Sequence, residues 1–174
     1  MQGHKLGAAF LVGQTKGSSE SFHQPHTLCS NEARGWKNSH LHLLLFETRT
    51  FANPDIDEGT DSEDERAVRL DELVTVGDRF SYHYDFGDDW MHEVHVEKKR
   101  PVDDRLAYPV CIGGARACPP EDCGGPLGYE ELLSALLNDD DDDDEKVAWV
   151  GGFFDPEGFD VNRTNRSIRA LTAF

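Results

Sequence analysis

Arg79-Phe80-Ser81-Tyr82-His83-Tyr84-Asp85-Phe86-Gly87-Asp88-Asp89-Trp90-Met91-His92-Glu93-Val94-His95-Val96-Glu97 reads as two alternating runs around a Gly-Asp turn. In the first run Phe80, Tyr82, Tyr84 and Phe86 point one way and Ser81, His83 and Asp85 the other, which is the period-2 pattern of a half-buried strand. In the second, Trp90, His92, Val94 and Val96 share a face, with Met91, Glu93, His95 and Glu97 opposite. Gly87 is expected to supply the positive φ that a tight reversal needs. The spacing predicts an antiparallel hairpin as the organising element, and it puts His92 in an otherwise apolar row.

Upstream, His40-Leu41-His42-Leu43-Leu44-Leu45-Phe46-Glu47-Thr48 is an apolar run of strand length. His40, His42, Leu44 and Phe46 share one face, and Leu41, Leu43 and Leu45 the other. Apolar residues on both faces argue for a central strand. Residues 53 to 66 read as an acidic surface loop and Val68 to Val74 as a short helix or turn. Residues 1–33 carry Gly, Ser, Gln and His without a sustained period and read as irregular, with Leu6 to Val12 as a candidate short edge strand.

Downstream, residues 100 to 128 hold five of the eight prolines and read as a loop ordered by packing. It closes with Cys118-Pro119-Pro120-Glu121-Asp122-Cys123-Gly124-Gly125. Tyr129 to Leu137 is a helical pattern with apolar positions 129, 132, 133, 136 and 137. Asp139 to Asp144 lacks the glycine and terminal glutamate of a calcium loop and reads as a solvated acidic linker. Lys146 to Val150 reads as a further turn with Trp149 inward, and Val161 to Leu171 as a closing helix burying Ile168 and Leu171.

A chain of 174 residues suits one domain with a single core. Lys plus Arg number 17 against 34 Asp plus Glu, a net charge of -17. That field repels phosphate backbones, so nucleic acid is not the expected partner and protein is. There is no apolar run of membrane-spanning length, hence no expected membrane partner. With no recognisable signal peptide, the chain reads as cytoplasmic, where its four cysteines stay reduced as structural thiols or ligands.

Three groups of residues carry chemistry, each with two readings. His40 and His42, spaced i, i+2 on a strand, aim both rings to one side. They fit either two ligands of Zn²⁺ or another divalent metal, or two half-buried hydrogen-bonded histidines. His92 must be satisfied by a carboxylate such as Asp85 or Asp88, or by joining His40 and His42 around an ion. Cys118 and Cys123, with Cys111 as the nearby third thiol, make a weak metal pattern. Their alternative is a proline-started turn in which Glu121 and Asp122 cap amides and the thiols pack as small apolar groups. Asp85, Asp88, Asp89, Glu121 and Asp122 form an acidic cluster if the Cys-Pro-Pro loop folds over the hairpin bend. Such carboxylates can act as general base or hold turn amides.

The chain resembles the plasmid pRiA4b ORF-3-like family, also labelled as a transposon passenger with a resolvase-type name. The residues that carry the resemblance are Gly35-Trp36, Ser39-His40-Leu41-His42, Tyr84-Asp85-Phe86-Gly87-Asp88-Asp89-Trp90 with His92, Tyr108-Pro109, Cys111, Ala117 to Asp122, Gly124-Gly125-Pro126 and Gly128-Tyr129. The tail adds Trp149, Phe154-Asp155-Pro156, Phe159-Asp160 and Asn165. The resemblance implies an α+β fold, a curved mostly antiparallel sheet around the central β-hairpin with C-terminal helices packed on it, over residues 34–174. It implies no activity. A serine recombinase needs a nucleophilic serine amid arginines and a basic DNA-binding arm, and neither is present. Family members usually open with a strand ending in a Trp-Arg-Arg-like motif and a helix; residues 1–33 show neither. A missing strand would leave an unpaired sheet edge, which favours a homodimer. The function expected is a non-enzymatic binding or accessory protein of a mobile-element-associated family. The alternative is a metal-dependent, hydrolase-like enzyme with His40, His42 and His92 as ligands and Asp85, Asp88 or Glu121 as base.

Overall fold

The computed structural model describes residues 7–11, 36–37, 39–55, 61–101, 103, 105–106, 108–137 and 144–171. Among them the strands are β1 (Gly7–Leu11), β2 (His42–Leu45), β3 (Thr50–Ala52), β4 (Glu63–Asp64), β5 (Arg79–Tyr84), β6 (Trp90–His95) and β7 (Val110–Ala115). The helices are α1 (Leu70–Leu73), α2 (Gly125–Leu137), α3 (Asp144–Trp149) and α4 (Val161–Leu171). The architecture is α+β. One sheet has the order β4-β3-β2-β5-β6, antiparallel except for the β3–β4 pair, and a smaller one pairs β1 with β7.

The aromatic alternation builds the larger sheet. Register pairs Phe80 with Val94, Tyr82 with His92 and Tyr84 with Trp90, so one face of the hairpin is aromatic and apolar except at His92. The neighbouring β2, central as its two apolar faces require, adds His42 and Leu44 to that face. Trp36, Leu44, Phe51, Val74, Phe80, Tyr82, Tyr84 and Trp90 form the core with Tyr129 and Leu132 of α2. Burying one such side chain contributes about 1.5–3 kcal/mol, so this cluster is the main source of stability.

The second unit is built on β7, within the stretch that reads as a loop. Its alternation is masked by Gly113 and Gly114, which leave few side chains to pattern. A Cβ at Gly114 would lie 2.4 Å from the ring of Phe159, so that ring would have to shift. Within the candidate edge strand, Gly7–Leu11 forms β1, which pairs antiparallel with β7. On β7's other side, the Asn165 side chain of α4 takes the Cys111 amide and donates to the Cys111 carbonyl, both at 2.8 Å. It thereby mimics a further strand. Ile168 and Cys111, both fully buried, pack beneath with Phe159.

Further sequence expectations change. The acidic loop over 53–66 contains β4 and a 3-10 turn, Glu65–Ala67, in which Glu65 is buried. Trp149 points outward at 54% exposure, and Leu137 is exposed rather than buried. Phe86 leaves the aromatic row because β5 stops at Tyr84 and Asp85 adopts a left-handed φ of 56°. Residues 1–6 and 12–33, Asp139 to Asp143 and the side chain of Leu171 lie outside the described residues.

Candidate functional site

The chemistry-bearing residues gather where the hairpin bend meets the Cys-Pro-Pro loop. Asp85 opens the bend, and its Oδ1 accepts the amides of Gly87 (3.0 Å) and Asp88 (3.3 Å). Such a side chain mimics a backbone turn and fixes the loop that carries it. Asp88 then reaches across: its Oδ2 accepts the Gly124 amide at 3.2 Å. Its carbonyl approaches so closely that a Cβ on Gly125 would lie 2.3 Å from it. Gly125 also has φ +68°, so a glycine is required twice over at the start of α2.

Glu121 is the hub of the loop. Its Oε1 accepts the Tyr84 hydroxyl (2.7 Å) and the Ser39 hydroxyl (3.2 Å), and its Oε2 accepts the Lys37 amide (3.0 Å). The carboxylate therefore ties β5, the chain entering β2 and the loop together. Beside it, Trp36 donates from Nε1 to the Pro119 carbonyl at 2.8 Å and stacks on Tyr84 with ring centroids 4.8 Å apart. Burial, reinforced by the Glu121 carboxylate, pushes the Tyr84 phenol far above its ordinary range. It stays protonated and donating.

The three candidate histidines take different surroundings. His42 hydrogen-bonds the buried Glu65 at 3.0 Å. The ring of His92 lies against Trp36 (5.4 Å) and Tyr82 (5.9 Å). His40 instead stands among acids: Nε2 lies 3.0 Å from Asp122 and 3.9 Å from Glu121, and Nδ1 lies 3.6 Å from Asp85. Among the described residues, the donors that come within 4.8 Å of one another are His40, Asp85 and Asp122, a set without His42 or His92. The i, i+2 geometry fails to unite His40 with His42 because His40 precedes β2, outside the regular pleat.

The cysteines divide between the two clusters. Cys111, Cys118 and Cys123 are free thiols. Cys118 and Cys123 lie against the main core, while Cys111 belongs to the second cluster with Ile168. Burial, with Asp88 adding to it, raises the Cys123 thiol to about 11. Glu65 is the buried polar residue that sequence reasoning missed. A glutamate within an acidic stretch signals solvent, and only the need of His42 for a partner hinted otherwise.

Comparison with known proteins agrees with the geometry of the fold. The family model described as "Plasmid pRiA4b ORF-3-like protein" matches residues 17–163. An "Uncharacterized protein y4hQ" of Sinorhizobium fredii is 34% identical over 145 residues, covering 81% of this chain and 74% of that protein. A crystal structure of a "Protein of Unknown Function MM3350" from Methanosarcina mazei Go1 superposes with a TM-score of 0.78 at 30% identity, covering 91% of this chain and 87% of that one.

Proposed function

We propose, for a chain that belongs to the plasmid pRiA4b ORF-3-like protein family, a non-enzymatic role: a mobile-element-associated accessory domain that works in the cytoplasm through protein contacts. One observation carries this reading. The carboxylates that a hydrolytic mechanism would use as base are committed to bracing. Glu121 accepts from three donors, Asp85 holds two turn amides, and Asp88 fastens Gly124. A general base must instead face a substrate proton.

The surface for contact is the outer stripe of α2. Leu127, Glu130, Ser134 and Leu137 recur at helical spacing, and Leu127, Glu130 and Ser134 line a groove together with Glu131 and with Lys146 of α3. Leu127, Leu137 and Trp149 are exposed, and the acidic run Asp139 to Asp144 follows α2 in sequence. Exposed leucines beside Glu130 and Glu131, followed in sequence by the acidic run, suit a basic amphipathic helix of a partner protein.

Titration with a synthetic helix bearing Lys on one face and Leu on the other tests this. Trp149 reports, since Trp36 and Trp90 are buried. The expected result is a saturable emission change that weakens about tenfold in Leu137→Asp and falls as salt is raised. No change, or binding indifferent to Leu137→Asp, contradicts the reading.

A further inference from the structure

We infer that the outer face of α4 is a further docking surface, which takes an acidic helical segment of a partner protein through Arg163, Arg166 and Arg169. This goes beyond the role assigned to α2, since it uses another helix and the opposite charge. The three arginines recur at intervals of three residues, and all are exposed. At 3.6 residues per turn they fall within an arc of about 120°. On the other side of α4, Thr164 and Ile168 are buried and Asn165 bonds the Cys111 backbone. These contacts fix the roll of the helix and hold its arginine side outward.

Two features set this stripe apart from an ordinary solvated face. The first is its lack of counter-charges. Arg49, Arg66, Arg69, Arg79, Arg105 and Arg116 each have a carboxylate at 3.2 Å or less. Among the described residues Arg163 and Arg166 form no ion pair, in a chain with 34 acids to 17 bases. Asp160 heads the helix, but its Oδ1 is spent on the amides of Asn162 and Arg163, at 2.8 and 3.0 Å. The second feature is that the placement opposes helix stability. Arg163 stands in the first turn, where the helix dipole disfavours a cation. Like charges on successive turns also repel. A stripe that costs stability and leaves charges unpaired is accounted for by an anionic partner.

The spacing selects the partner's form. Successive arginines rise about 4.5 Å along the axis, at 1.5 Å per residue. Carboxylates three residues apart on a second helix have the same rise, whereas same-face residues of an extended segment stand about 6.6–6.8 Å apart. Guanidinium forks take carboxylates in bidentate pairs. Exposed Asn162 and Ala170, at i−4 and i+4 from Arg166, are short and let a partner helix approach. Duplex nucleic acid fits less well. The stripe is about 9 Å long, and phosphates beyond it meet the field of a chain at -17. At physiological salt charges more than about 8 Å apart are largely screened. A short acidic helix therefore feels the arginines it touches more than the distant acids.

The test titrates the full chain, at physiological ionic strength, into a labelled Ala-rich peptide helix with Glu at alternating three- and four-residue spacing, read by fluorescence anisotropy. Saturable binding is expected. Arg166→Glu should weaken it about tenfold or more, by removing one pair and adding a repulsion. The melting temperature of that variant should equal or exceed the parent's, because the new carboxylate stands three residues from both Arg163 and Arg169. Lost docking is thereby separated from misfolding. Leu137→Asp, on α2, should leave affinity for the acidic peptide unchanged, so this surface and the α2 surface stand or fall separately. Absence of saturable binding, affinity indifferent to Arg166→Glu, or tighter binding to a short DNA duplex than to the peptide overturns the inference.

Discussion

The Tyr84 hydroxyl donates to Glu121 Oε1 at 2.7 Å, joining the last residue of β5 to a loop 37 positions later in the chain. Both groups are mostly shielded, so water competes poorly for the bond, and a bond to a charged acceptor is worth about 1.5–3 kcal/mol. Around it lie the Trp36–Tyr84 stack, the Trp36–Pro119 bond and the Asp88–Gly124 contact. The loop is thus latched to the hairpin by polar groups at its rim and by ring stacking beneath.

His42 and Glu65 form a buried pair, with side-chain exposures of 4% and 1%. Truncating one partner strands the other. His42→Ala or Glu65→Ala should each cost about 3 kcal/mol or more in urea unfolding. The double variant should cost clearly less than the sum. Additive losses would show that the pair does not interact.

Gly125 and Gly77 both have positive φ, but only Gly125 faces an obstacle. An alanine at either pays about 1–2 kcal/mol for the left-handed backbone. Gly125→Ala must also displace the Asp88 carbonyl, so it should lower the melting temperature distinctly more than Gly77→Ala. Equal losses would mean that α2 does not press against the bend.

Cys123 should resist alkylation. Its thiol sits at about 11 in the fold against an ordinary value of 9.0, so the native state holds the proton more tightly than the unfolded chain does. The resulting stabilisation is fully present below about pH 9 and is lost as pH rises from 9 to 11. At pH 9, iodoacetamide should modify Cys123 about tenfold or more slowly in native protein than in urea. Tandem mass spectrometry separates it from Cys118. Equal rates would contradict a shielded thiol.

How far this was legible in the sequence depends on whether side chains alternate. The hairpin and β2 were readable because Phe80, Tyr82, Tyr84, Leu44 and Trp90 mark one face. β7 was not, since Gly113 and Gly114 erase the pattern and Asn165, more than fifty residues away, completes its pairing. Within the site, the meeting of the acidic bend with the Cys-Pro-Pro loop followed from motif chemistry. The partners of the histidines did not, because they depend on where β2 begins and on Glu65 folding inward from an acidic stretch. Trp149 misled for the opposite reason: a large aromatic ordinarily signals core, yet this one is surface.

The central claim is that the motif residues hold the loop on the hairpin. A double-mutant cycle combining Tyr84→Phe with Glu121→Gln, read by urea unfolding, measures this directly. The account predicts that each single variant is destabilised and that the pair couples by about 1–2 kcal/mol. Additivity within about 0.3 kcal/mol would contradict it.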